Sequence, residues 1–223
     1  MKRLHWGAVP ETARAVLELL GQTAVAEQFY LAGGTGLALL LGHRISADLV
    51  LFSRENSLSS SERRELLHAL AEFWPGDALK IALQKDGTLI VALQGVSTSL
   101  FHYQYPLVGT TRSLAGNLRL ASLEDVGLIK VAAIIGRGTK RDFVDLFFVS
   151  KEVSLERLLE LDATKFPHVR GFPLQALKAL AYFADADRDP PLRTLVEVDW
   201  EEANDYFEGQ ALSLGRRWSG LMA

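Results

Sequence analysis

Gly33-Gly34-Thr35 lies between a short apolar run, Phe29-Tyr30-Leu31-Ala32, and an apolar stretch over residues 36–42. Glycines between a strand and a helix let phosphate oxygens approach the backbone, and the helix start turns free N–H groups toward an anion. This turn lacks both the Gly-Lys-Ser/Thr ending of a Walker A loop and a dinucleotide fingerprint, so alone it suits a plain tight turn as well as an anion site. Asp48 follows the polar run His43-Arg44-Ile45-Ser46 and opens a run in which Asp48, Val50 and Phe52 alternate with Leu49 and Leu51. In a strand that alternation puts Asp48, Val50 and Phe52 on one face. Further on, Lys130 interrupts an otherwise apolar helical stretch, and Asp142 and Asp145 sit three apart in a run rich in Phe143, Val144, Phe147 and Phe148. A buried ammonium needs a partner and a carboxylate among aromatics is rarely buried unpaired, so Asp145 is the natural mate of Lys130. Asp142, near the helix start, reads as a cap.

Other chemistries are poorly supplied. The five histidines show no three- or four-residue spacing, which argues against a zinc site. No Gly-x-Ser-x-Gly elbow occurs, and without cysteine there is no disulfide, thiolate metal site or thiol nucleophile. A hydrophobic fraction of 48% with 23% charged residues is that of a globular chain. The apolar runs are far shorter than the roughly 20 residues that span a bilayer, and the start does not read as a secretory signal, so a cytoplasmic protein without membrane contact is expected. Charge is uneven beneath a net of −3: from Gly87 to Leu123 there is no acid, while Arg112, Arg119, Lys130, Arg137, Lys140 and Arg141 follow one another. Such a basic stretch suits a polyanion or simply a solvated face.

The elements that must position these groups follow from the pattern. Apolar residues at Ala13, Val16, Leu17, Leu20 and Ala24 predict an amphipathic helix over 11–27, followed by a strand at 29–32, a helix from the glycine turn to Gly42 and a strand over 47–53. Serines at 57–61 supply N-caps for a helix to about Phe73. Residues 79–84, 88–94 and 96–103 read as a meander turning at Asp86-Gly87, and 106–116 as a connection. Helices are predicted over 122–135, 140–150, 154–161, 173–184 and 201–212. The expectation is an α/β (α+β) fold, with an α/β domain over 1–121 and a helical C-terminal domain over 122–223 packing on the site.

The run from Phe29 to Leu39, followed by His43 to Phe52, resembles the first motif of the AbiEii-type toxins of type IV toxin–antitoxin and abortive-infection systems, within the DNA polymerase beta-like nucleotidyltransferase superfamily. The runs 122–130 and 141–146 are similar to that family's later motifs. The resemblance implies a mixed sheet flanked by helices, and transfer of a nucleotide from a nucleoside triphosphate, with Mg²⁺, to an acceptor such as tRNA. It implies that Gly33, Gly34 and Thr35, with Arg44 and Ser46, hold the nucleotide, that Asp48 binds metal, that Lys130 and Asp145 complete the catalytic set, and that an antitoxin partner is encoded nearby. One position departs from the pattern. Val50 stands where a second acid is expected, and no acid between Gly87 and Leu123 can supply a carboxylate from a later strand. Two readings follow: a nucleotidyltransferase, weakened or degenerate at Val50, and a non-catalytic module that binds a nucleotide or an antitoxin.

Overall fold

The computed structural model describes residues 3–220, with side chains to 218. It is a mixed α/β protein whose contacts divide it into two compact units, residues 1–122 and 123–223.

The first unit is built on a seven-stranded mixed sheet. Its strands are β1 (Tyr30–Ala32), β2 (Leu49–Ser53), β3 (Leu79–Lys85), β4 (Thr88–Leu93), β5 (Val96–His102), β6 (Arg112–Ala115) and β7 (Leu118–Leu120). They lie in the order β3-β4-β5-β2-β1-β7-β6. β2 runs parallel to β5 and β1 parallel to β7, while the other neighbours are antiparallel. Alternation sorts the residues onto two faces. Leu31, Leu49, Leu51, Leu100 and Leu120 join one buried core with Val16, Leu17 and Leu20 of helix α1 (Glu11–Leu20) and Leu66 and Leu70 of α4 (Ser60–Phe73). Each such burial contributes about 1.5–3 kcal/mol. The opposite face carries Asp48, Val50 and Phe52.

Two local readings are corrected. The helix predicted over 11–27 is broken: α1 ends at Leu20 and a short α2 (Val25–Gln28) follows. Gly21 explains the break, because a Cβ there would meet the Ala115 carbonyl oxygen at 2.1 Å, and its own carbonyl accepts from Asn117 N at 2.9 Å. The stretch read as a connection contains the hairpin β6–β7, and β7 completes the sheet beside β1. Helix α3 (Gly33–Leu41) starts at the glycine turn and ends at Gly42, which is left-handed.

The serine cluster caps α4 in the anticipated manner. Ser59 and Glu62 form a reciprocal capping box. Hydrogen bonds to Glu62 from the Ser57 side chain, then from the Ser59 side chain and backbone, hold its carboxyl at about 2, against the usual 4.5. Because the folded value is depressed, this stabilisation is complete above the usual carboxylate range and is lost as pH falls toward 2. Glu62→Gln is therefore expected to lower the urea midpoint slightly at pH 6, by a cap's worth of about 1 kcal/mol or less. At pH 2 the two proteins are expected to coincide.

The second unit is helical: α5 (Leu123–Gly136), α6 (Lys140–Ser150), α7 (Leu155–Glu160), α8 (Asp162–Lys165), α9 (Phe172–Leu180) and α10 (Trp200–Gly220). α5 and α6 pack closely. A Cβ on Gly127 would lie 3.0 Å from Val149 and 3.1 Å from Leu158, so only glycine lets the neighbours approach this far. Phe143 anchors the aromatic core, with ring centroids 5.0 Å from Phe183 and 5.7 Å from Phe207. No helix among the described residues is long and apolar enough to cross a membrane.

Candidate active site

In the first unit, the structure gathers Gly33, Gly34, Thr35, Arg44, Ser46 and Asp48 around the β1–α3 turn. Gly33 adopts φ +63°, in the left-handed region that side chains disfavour. Thr35 is buried, and its hydroxyl donates to the Asp48 carbonyl at 2.6 Å and lies 2.9 Å from Ser46 Oγ. A hydroxyl has one proton, which Thr35 can give to the Asp48 carbonyl or to Ser46 Oγ. Those two bonds tie the start of α3 to the segment that delivers Asp48. The Arg44 guanidinium lies over Gly34, where a Cβ would meet Nη2 at 2.3 Å. Arg44 is buried and donates to the Ile45 carbonyl at 3.2 Å. Glycine at 34 thus leaves room for an arginine beside the turn.

Asp48 is exposed and directly precedes β2, with Leu49 and Leu51 fully buried on the other face. Val50 pairs with Ala32 of β1, and its Cβ is 3.1 Å from where a Gly33 Cβ would be. The position at which the motif calls for a second acid therefore faces the glycine turn, and a valine fills it. On the parallel neighbour β5, Ser99 stands opposite Val50 and Thr98 opposite Leu49. Ser99 thus offers a hydroxyl on the Val50 face, whereas Thr98 is buried with Leu49 on the core face. Among the described residues no group of three or more His, Asp or Glu is placed to hold a metal ion. One exposed carboxylate fits a Mg²⁺ that draws most of its six oxygens from phosphate and water, and does not fit a pair of protein-held ions.

In the second unit Lys130 is nearly buried between two carboxylates, with Nζ 2.8 Å from Asp142 Oδ1 and 2.7 Å from Asp145 Oδ2. The mating with Asp145 was legible from sequence, whereas the role of Asp142 was underestimated. Asp142 does lie in the first turn of α6, which Thr139 caps, yet it also accepts from Lys130, from Arg137 Nε at 2.9 Å and from the Thr139 hydroxyl at 2.7 Å. Burial acts most strongly on its carboxyl and would raise it; the charge of Lys130 and the hydrogen bonds from Arg137, Lys130 and Thr139 together prevail and hold it below the usual range. A second buried pair escaped sequence reasoning altogether. Lys165 Nζ donates to Asp125 Oδ1 at 2.8 Å, both side chains being fully buried. Burial lowers the Lys165 ammonium from its usual value against the hydrogen bond and charge of Asp125.

Comparison with known proteins bears on what this arrangement serves. The family described as nucleotidyl transferase AbiEii toxin, type IV toxin–antitoxin system, matches residues 14–219. The chain belongs to the AbiEii nucleotidyltransferase toxin family. An uncharacterized protein of Aquifex aeolicus is 31% identical over 199 residues, covering 87% of this chain and 92% of that one. Among solved structures, the AbiEii-family chain resembles the Mycobacterium tuberculosis nucleotidyltransferase toxin MenT4, with a TM-score of 0.53 and 17% identity over 90% of this chain and 80% of that one. It also resembles a putative nucleotidyltransferase from H. pylori, with a TM-score of 0.52 and 19% identity over 97% of both chains. At these identities the likeness establishes the nucleotidyltransferase-like fold.

Proposed function

We propose that this chain binds a nucleoside triphosphate with Mg²⁺ at the β1–α3 turn and transfers the nucleotide to an acceptor such as tRNA, slowly, because Val50 withholds a metal ligand. The observation that carries this reading is the Thr35–Ser46–Asp48 linkage, which ties the segment bearing an exposed carboxylate to the glycine turn. Gly33 and Gly34 admit phosphate oxygens to the backbone, Thr35 and Ser46 position the Asp48 segment, and Arg44 supplies positive charge. Asp48 would hold Mg²⁺ together with the triphosphate. The ion's contribution when bound is to neutralise charge on the transferred phosphoryl group. By family resemblance, Lys130 is assigned to phosphate charge, with Asp145 as a positioning residue that orients it. An antitoxin encoded nearby is the partner that the family implies.

Incubation with nucleoside triphosphate labelled at the α-phosphate and bulk tRNA tests this. Slow incorporation is expected, and Asp48→Asn is expected to abolish it. A second reading, a non-catalytic nucleotide- or antitoxin-binding module, is favoured by Val50, by Ser99 of β5 standing opposite it in place of an acid and by the matching of Lys130 with two carboxylates. Triphosphate binding without any incorporation would select it.

A further inference from the structure

The second unit contains a cavity of about 520 Å³ that the transfer chemistry does not use. Its walls are the C-terminal end of α5 with the residues just after it, from Ile134 to Gly138, and one side of α9 with the turn after it, presenting Gln175, Lys178, Tyr182 and Asp185. Gln175 and Lys178 are three apart on α9, the spacing that aligns side chains on one helical face, and Tyr182 follows in the turn after the helix. Three chemistries converge there. Tyr182 is 57% exposed, an unusual position for a large ring, and makes no ring contact among the described residues. Arg137 is both exposed and fixed: Asp142 takes its Nε and Nη2, while its Nη1 edge has no protein partner among the described residues. Lys178, which is exposed, adds a second cation, and Asp185, 3.5 Å from Arg188, offers an acceptor for hydroxyl groups.

A face for a planar ring, a preset guanidinium with a nearby ammonium, and an acceptor for hydroxyls together describe a phosphorylated ribonucleoside. We propose that this cavity binds one nucleotide, its base stacked on Tyr182, its phosphate on Arg137 and Lys178, and its ribose hydroxyls toward Asp185. An aromatic platform beside cations is the recurring means of holding single-stranded nucleic acid, because every base has a π face and every residue of the strand a phosphate. The charges suit the task. Lys130 and Arg137 together balance Asp142 and Asp145, so the buried carboxylates leave no net charge to repel an anion at the outer edge of Arg137. The assignment deepens the transfer reading, and rests on it, by giving the acceptor strand a foothold. The same chemistry is offered by a free mononucleotide, and the two sources are separable.

The test uses the full chain. Binding of a short fluorescent single-stranded RNA is read by anisotropy and binding of AMP by equilibrium dialysis, in the parent protein and in Tyr182→Ala, Tyr182→Phe and Lys178→Glu. Tyr182→Ala is expected to weaken RNA binding about tenfold and Tyr182→Phe to preserve it, as loss of one stacked base requires. Lys178→Glu is expected to weaken binding and to reduce the slope of log affinity against log salt by about one. If AMP binds with the same Tyr182 dependence, the occupant is a mononucleotide; if only RNA does, it is a strand. Equal affinities in Tyr182→Ala and the parent, or no binding of either probe, would overturn the assignment. Failure of the transfer reading looks different: Mg²⁺-dependent ATP binding is then missing from every variant while Tyr182-dependent RNA binding persists.

Discussion

Val50→Asp is expected to raise nucleotide incorporation into tRNA by about 10²-fold over the parent chain, the scale associated with one well-placed electrostatic group in an active site. Val50 is half-buried, follows Asp48 by two residues and abuts Gly33, so a carboxylate there adds its charge beside the first one at the glycine turn. Two carboxylates on one strand face can share metal with the triphosphate, where one cannot hold a second ion. The gain is expected to vanish when Asp48→Asn is added, because the restored ligand acts only together with the original one. Thermal melting identifies a variant that fails to fold. A folded Val50→Asp protein that binds triphosphate and transfers no more than the parent would show that the missing carboxylate is not what limits the reaction.

Lys130→Met is expected to destabilise the chain by about 3–5 kcal/mol, as loss of one member of a buried charge cluster commonly does. The ammonium lies within 2.8 Å of both Asp142 and Asp145, and its removal sets two buried carboxylates against each other. Urea denaturation followed by circular dichroism reads the loss directly. The pH dependence has a definite sign. In the parent, Asp142 is held below the usual carboxylate range, so its contribution is present above that range and fades as pH falls. In the variant the repelling carboxyls are pushed upward instead, so the deficit is expected to be greatest near pH 7 and smaller at pH 4. Adding Asp145→Asn removes one of the repelling charges, and the double variant is expected to lose less than the sum of the two single losses. Additive losses would mean that Lys130 and Asp145 do not act as a unit.

The legible parts of the molecule are those whose signals are local. The glycine turn and Asp48 lie within sixteen residues of each other, from 33 to 48, and both fall at ends of elements marked by apolar alternation. The serines at 57–61 announce the helix that Ser59 caps, and the Asp86-Gly87 turn announces the β3–β5 meander. What escaped depends on distant pairing. β7 is three residues long and finds its place through β1, with Tyr30 against Arg119, which no local pattern encodes. Gly21 ends α1 because of Ala115, far along the chain. Asp125 lies in the first turn of α5, where a carboxylate suits the helix dipole, yet its fully buried partner Lys165 comes forty residues later. Asp142 reads as a cap, and caps do sit there, but only packing of α5 on α6 makes it the acceptor for Lys130 as well.

Calorimetric titration with a nucleoside triphosphate, with and without Mg²⁺, on the parent and on Asp48→Asn, tests most directly that the glycine turn with Asp48 is a nucleotide site. With one protein carboxylate available, Mg²⁺ alone is expected to bind only weakly, triphosphate binding is expected to require Mg²⁺, and Asp48→Asn is expected to remove that requirement together with most of the affinity. Tight Mg²⁺ binding in the absence of triphosphate, or the same Mg²⁺-dependent triphosphate affinity in Asp48→Asn as in the parent, would contradict the account.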